Sequence, residues 1–125
     1  MKIRASSPHF FVSDIITSVR FYVDVLGFDE PKLWGDPPAF AMPSRDGFVV
    51  MLNQANSKQP RPNGLNNCWD VYFWCDAVDE FYQFIHTKGV DIVHGPEIRD
   101  DYGMKEIGIR DPDGYMLVFA EDIEG

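Results

Sequence analysis

The sequence predicts an α+β chain made of two tandem βαβββ modules that form a curved mixed sheet around a cavity. Three observations carry this expectation. One pattern is stated twice, each copy holds a helix with recognisable ends behind an aromatic strand, and each copy closes in a near-identical turn-then-strand phrase. The first copy reads His9-Phe10-Phe11-Val12-Ser13-Asp14, a helical pattern, then Leu26-Gly27-Phe28. The second reads Asp70-Val71-Tyr72-Phe73-Trp74-Cys75-Asp76, a helical pattern, then Lys88-Gly89-Val90. The closing phrases are Asp46-Gly47-Phe48-Val49-Val50-Met51-Leu52 and Asp113-Gly114-Tyr115-Met116-Leu117-Val118-Phe119. Two copies of a long-period repeat read as a duplicated module and not as a solenoid.

The elements follow in order. The opening strand of each copy is rich in aromatic and β-branched residues, which suit a pleated, half-buried surface. Asp14 and Asp76 stand where a carboxylate would cap the first helical turn, and Gly27 and Gly89 suit a left-handed stop. Ile15, Val19, Tyr22 and Leu26 recur at helical spacing, as do Val78, Phe81 or Tyr82, and Ile85. Three strands are expected after each helix, near 28–34, 38–43 and 47–54, and near 90–95, 103–110 and 115–121. Asp46-Gly47 and Asp113-Gly114 mark hairpin turns. The polar stretch Gln54 to Asn66 is the natural connector. It makes one domain over 1–125, with module one at about 5–54, a linker at 55–66 and module two at about 67–122.

Composition bounds the function. The chain has 125 residues, 45% hydrophobic and 25% charged, an ordinary globular mixture that excludes disorder as the default. A net charge of −9 has the wrong sign for displacing counterions from nucleic-acid phosphates, and it favours cationic partners. No apolar run reaches the length of a membrane span, and the start MKIRASSPHFFVSD is too short in apolar residues for a signal peptide. Cys68 and Cys75 make neither a CxxC pair nor a disulfide framework, which suits a reducing, cytoplasmic setting. No membrane or nucleic-acid partner is expected.

Side chains alternate along a strand, so faces can be read by parity. Phe10, Val12, Val50, Leu52, Val71, Phe73, Leu117 and Phe119 form one apolar set that suits packing under the helices. The opposite set mixes polar and aromatic groups: Ser7, His9, Phe11, Val49, Met51, Asn53, Asp70, Tyr72, Trp74, Met116, Val118 and Ala120. Such a face suits a ligand-binding concavity. Trp34, Phe40, Tyr72, Trp74 and Tyr102 are candidates for stacking a flat or cationic group. Core packing is the equal alternative for Trp34 and Phe40, whose parity is ambiguous. Asp70 in an apolar concavity must sit at the rim or find a partner such as His9, Ser7 or a cationic ligand. His9 and Asp70 are also the weak candidates for a general acid–base pair. Glu106 is a second acidic contact, read as solvent-facing. His86 complements a helix C-terminus, His94 falls in an exposed turn, and Cys75 has core parity.

Taken together, Val12-Ser13-Asp14, Phe21-Tyr22, Leu26-Gly27-Phe28 and Arg110-Asp111-Pro112-Asp113-Gly114-Tyr115 resemble the vicinal-oxygen-chelate superfamily, which includes glyoxalase I, extradiol dioxygenases and bleomycin resistance proteins. The resemblance implies that the superfamily's metal-ligand positions fall on Ser7, Met51, Asp70 and Val118. Only Asp70 among them is a carboxylate, so no metal and no cofactor are expected. The bleomycin resistance proteins are the nearest pattern, through Asp36-Pro37-Pro38-Ala39-Phe40-Ala41, Arg45-Asp46-Gly47 and Val118-Phe119-Ala120-Glu121-Asp122. Where they carry a tryptophan-glycine pair this chain has Tyr102-Gly103. The resemblance thus implies a homodimer that binds and sequesters a small aromatic or cationic compound, with a bleomycin-type antibiotic as one candidate. The ligand-binding set is Ser7, His9, Phe11, Trp34, Phe40, Met51, Asp70, Tyr72, Trp74, Tyr102, Glu106 and Val118. The alternatives are a glyoxalase-like lyase or isomerase, and an interaction module whose concave face is filled by a partner subunit.

Overall fold

The computed structural model describes residues 1–56 and 61–123. The chain divides into two compact units, Met1–Pro60 and Arg61–Gly125, whose boundary falls inside the predicted connector. Connector residues 57–60 lie outside the described residues.

Unit one contains β1 (His9–Val12), α1 (Ile15–Arg20) continued by a π-helical turn (Phe21–Val25), β2 (Leu33–Trp34), β3 (Phe40–Ala41), β4 (Ser44–Arg45), β5 (Phe48–Val49) and β6 (Met51–Gln54). Its main sheet has the order β1-β6-β3-β2, with β1 and β6 parallel, and β4 and β5 form a separate ribbon. Unit two opens with a 3-10 turn (Asn63–Asn66). It continues with β7 (Val71–Trp74), α2 (Val78–Ile85), β8 (Asp91–Arg99), β9 (Met104–Arg110) and β10 (Met116–Asp122). Its sheet order is β7-β10-β9-β8, with β7 and β10 parallel and the other pairs antiparallel. The fold is therefore α+β, with two four-stranded mixed sheets and a βαβββ order in each unit.

The helix-side parity holds for six of the eight residues, Val71 and Phe73 being only half-buried. Phe10, Val12, Val50, Leu52, Leu117 and Phe119 are buried, and the Phe119 ring lies 5.1 Å from Phe73 and 4.5 Å from Phe81 of α2. Ile15, Val19, Tyr22 and Leu26 bury one face of the first helix, as Val78 and Ile85 do for α2. Each such side chain contributes roughly 1.5–3 kcal/mol by leaving water.

The capping expectation holds once and fails once. Asp14 accepts from the amides of Ile16 and Thr17. Asp76 does not cap α2, whose N-cap is Ala77 in a left-handed conformation with φ 54°. The strand register explains why. His9 stands opposite Met51 and Tyr72 opposite Val118, so Asp14 corresponds to Ala77 and Asp76 falls one residue early. A group from the closing strand serves instead, with Glu121 Oε1 accepting from Val78 N at 3.2 Å. Gln54, at the matching position in unit one, accepts from Ile15 N at 2.8 Å. From N-cap to stop glycine the first helix is one residue longer. That residue is taken up in the π turn, where Leu26 N bonds to Phe21 O.

Strand extents also depart from expectation. The segments 28–34 and 38–43 yield only the two-residue strands β2 and β3, because Pro31, Pro37, Pro38 and Pro43 supply no amide to a ladder. Segment 47–54 is split at Val50. Asp46 and Gly47 both have positive φ, 53° and 84°, and turn β4 into β5 as a tight hairpin of their own. β8 runs on to Arg99, past Pro96, because it is an edge strand whose register shifts twice. His94, expected in an exposed turn, is therefore a half-buried strand residue. Cys75, expected to face the core, is exposed because it lies one residue beyond β7, where alternation no longer governs.

Candidate functional site

In unit one the predicted site residues share a face of the main sheet. The register sets His9 beside Met51, Phe11 beside Asn53, Asn53 beside Phe40, and Phe40 beside Trp34. The His9 ring meets Phe11 edge-on at 4.8 Å, and His9 Nε2 lies 3.4 Å from Asn53 Nδ2. Trp34 and Phe40 are 5.6 Å apart, and Lys32 Nζ sits 5.4 Å from the Trp34 ring centre, so part of this aromatic surface already has a cation over it. Ser7 Oγ donates to Val49 O at 2.9 Å.

Asp70, expected at a cavity rim beside a histidine or a cationic ligand, does something else. Its Oδ1 accepts from Asn63 N at 2.8 Å, and its Oδ2 accepts from Gly64 N at 2.9 Å and Met116 N at 2.8 Å. Three backbone amides use both oxygens and tie the 3-10 turn and β10 to the start of β7. The carboxylate is structural, and the His9–Asp70 acid–base reading loses its acidic member. Register makes Ser7 the counterpart of Asp70, and both side chains bond to the backbone of the matching residue, Val49 or Met116. Met51 offers only a thioether, and Val118 is fully buried. These four side chains do not fit a divalent cation, which needs several converging hard donors.

Unit two does bring predicted site residues together. Trp69, Tyr72, Trp74, Tyr102 and Met104 line an open groove of about 420 Å³. The first three form a ladder, with ring centres 4.8 Å apart for Trp69–Tyr72 and 5.1 Å for Tyr72–Trp74. Trp69 is 47% exposed, Trp74 76% and Tyr102 45%, so broad ring faces meet solvent. Val118, beside Tyr72 in register, is fully buried and does not line the groove.

Glu106, expected to face solvent, is fully buried. Tyr72 and Tyr102 each donate a phenolic hydrogen bond of 2.9 Å to it, one to each carboxylate oxygen. Arg99 Nε lies 3.4 Å from Glu106 Oε1, and Arg99 Nη2 lies 2.7 Å from Glu97 Oε1. Burying a carboxylate is costly unless it is paired and hydrogen-bonded, and Glu106 has both kinds of partner. Burial, reinforced by the bond to Glu106, pushes the Tyr102 phenol up to about 12, and the same causes raise Tyr72 further. His94 Nδ1, 3.1 Å from Glu97 Oε1, completes a His94–Glu97–Glu106 cluster whose ligand atoms lie within 4.8 Å of one another. The Arg99 guanidinium already supplies a cation there. His94 packs so closely on Gly108 that a Cβ at 108 would stand 2.4 Å from its Nε2.

Sequence reasoning missed Trp69, Met104, Glu97 and Arg99. Met104 was readable, since it shares strand parity with Glu106 on β9. Trp69 precedes β7, outside the reach of alternation, and Arg99 lies beyond the predicted end of its strand.

The comparisons with known proteins bear on this geometry. The virulence protein STM3117 of Salmonella typhimurium (strain LT2) is 27% identical over 115 residues, spanning 88% of this chain and 78% of that protein. Its crystal structure aligns with a TM-score of 0.70 at 25% identity, covering 97% of this chain and 98% of that one. The structure of TnmS3, an antibiotic binding protein from Streptomyces sp. CB03234, aligns with a TM-score of 0.76 at 21% identity over 98% of both chains. A superfamily member from Sphaerobacter thermophilus DSM 20745 aligns at 0.72 and 20%, over 96% and 98%. The family model described as Glyoxalase/Bleomycin resistance protein/Dioxygenase superfamily matches residues 6–119. With its duplicated βαβββ order and its doubled closing phrase, the chain belongs to that superfamily.

Proposed function

We propose that this chain binds and sequesters a small compound bearing a planar ring system, without a metal, in the groove of unit two. The observation that carries this reading is the ladder of Trp69, Tyr72 and Trp74, which together with Tyr102 and Met104 lines an open groove of about 420 Å³. That volume lies within the range of small-molecule sites, roughly 300–1,000 Å³. Exposed aromatic faces cost free energy in water, and a flat guest would recover it through burial and stacking. The same superfamily fold carries a protein described as antibiotic-binding, which makes a bleomycin-type antibiotic a fair first probe.

Titration with metal-free bleomycin and with the planar dye acridine, followed by tryptophan fluorescence, tests the reading. Saturable quenching by either compound, with the compound recovered unchanged, is the expected result. A flat response to both rejects it, and conversion of the compound would move the chain to the lyase or isomerase alternative.

The reading includes a cytoplasmic homodimer. Among the described residues no helix is long and apolar enough to cross a membrane. Phe11 on the edge strand β1 is 51% exposed, the kind of surface a second copy covers. Sedimentation should give twice the 14.3 kDa chain mass.

A further inference from the structure

We infer that the buried carboxylate of Glu106 makes the groove selective for planar cations over neutral or anionic planar compounds. This inference rests on the groove reading above and adds the charge class of the guest.

Glu106 anchors two residues of the groove wall. Its two oxygens receive the hydroxyls of Tyr72 and Tyr102, both of them groove-lining residues. Each phenol is thereby fixed as a donor pointing at the carboxylate, and its ring is fixed in the groove wall. A phenol that donates to an anion gains electron density, since linked hydrogen bonds polarise one another. The ring face turned to the guest becomes more negative, and the attraction of a cation to that face grows.

The surrounding charges point the same way. Glu106, Glu97 and Asp101 stand around Tyr102 and Arg99, with Arg99 as the counter-charge. Arg99 is engaged with both glutamates. Lys105, next to Glu106 in sequence, has the opposite strand parity and pairs with Asp79 of α2. His94 is directed at Glu97. The carboxylates thus outnumber the fixed cations around Tyr102, and a guest cation finds electron-rich rings whose hydroxyls are held by a carboxylate. A carboxylate-bearing guest would meet like charge in a partly desolvated place, which is costly.

Three compounds of similar shape provide the test at pH 8 on the intact chain: N-methylacridinium, neutral acridine and acridine-9-carboxylate. Wild type is expected to bind the cation about tenfold more tightly than neutral acridine, as two cation–π faces would supply. The anion should bind more weakly still. In Glu106→Gln the cation-to-neutral ratio should fall to about threefold or less. If that variant does not fold, Tyr102→Phe serves instead, since it removes one phenol-to-carboxylate bond and should lower the same ratio. Equal affinities of wild type for cation and neutral compound overturn the inference while leaving the groove reading intact. A ratio unchanged in the folded variant also overturns it. No binding of any of the three removes the groove reading itself.

Discussion

The two units share one strand order, so their residues can be compared address by address, and the differences locate the site. Where the register of unit one places Phe40, that of unit two places Glu106. His9 corresponds to Tyr72, Phe11 to Trp74 and Met51 to Val118. In unit one the Trp34–Phe40 pair is attended by the chain's own Lys32. In unit two a buried carboxylate anchors two tyrosines, and three rings stay open to solvent. The duplicated scaffold thus carries, in one copy, an aromatic pair attended by the chain's own cation and, in the other, an open aromatic groove. The lesson is that a repeat conserves backbone roles, such as the Gln54 and Glu121 caps, while side-chain chemistry at matching positions diverges.

Substitutions at matched addresses should break the comparison in a definite order. Val118→Glu puts an unpaired carboxylate at a fully buried position and should cost on the order of 3 kcal/mol or more in urea unfolding. Met51→Glu, at a half-buried address, should cost about 1 kcal/mol. Neither change should create a metal site, because the Asp70 oxygens remain bound to amides. Asp70→Ala should cost about 2–3 kcal/mol by orphaning three backbone donors, whereas Ser7→Ala should cost about 0.5–1 kcal/mol. For binding, Trp74→Ala should weaken acridine affinity about tenfold and Trp34→Ala less than about twofold.

A further effect expected is alkaline. The folded phenols of Tyr102 and Tyr72 are raised above the ordinary value of 10.0. Their contribution to stability is therefore fully present below that value and is lost as pH rises through the folded pKa, about 12 for Tyr102. Melting temperature should fall across that window, with late-titrating tyrosine absorbance. Tyr72→Phe should remove part of the late absorbance.

Much of the fold was legible because apolar alternation and doubled turn phrases are local signals. Asp76 misled because a one-residue difference in helix length, absorbed by a π turn, leaves a plausible carboxylate one position early. Strand parity put Tyr72 and Trp74 on the open face, and the residue type of Tyr102 marked it as a stacking candidate. It could not show that Asp70 meets amides six and seven residues back, or that Glu106 is enclosed by two phenols from other segments. Those contacts depend on how a turn and a sheet edge curl, which no periodicity encodes. Trp69 escaped for the same reason.

The chain has three tryptophans, Trp34 in unit one and Trp69 and Trp74 in the groove, so each copy reports on itself. Indole N–H resonances followed during titration with N-methylacridinium offer the most direct measurement. The Trp69 and Trp74 signals should shift together and saturate while Trp34 stays in place. Movement of Trp34 alone, or of none of the three, would contradict the groove reading.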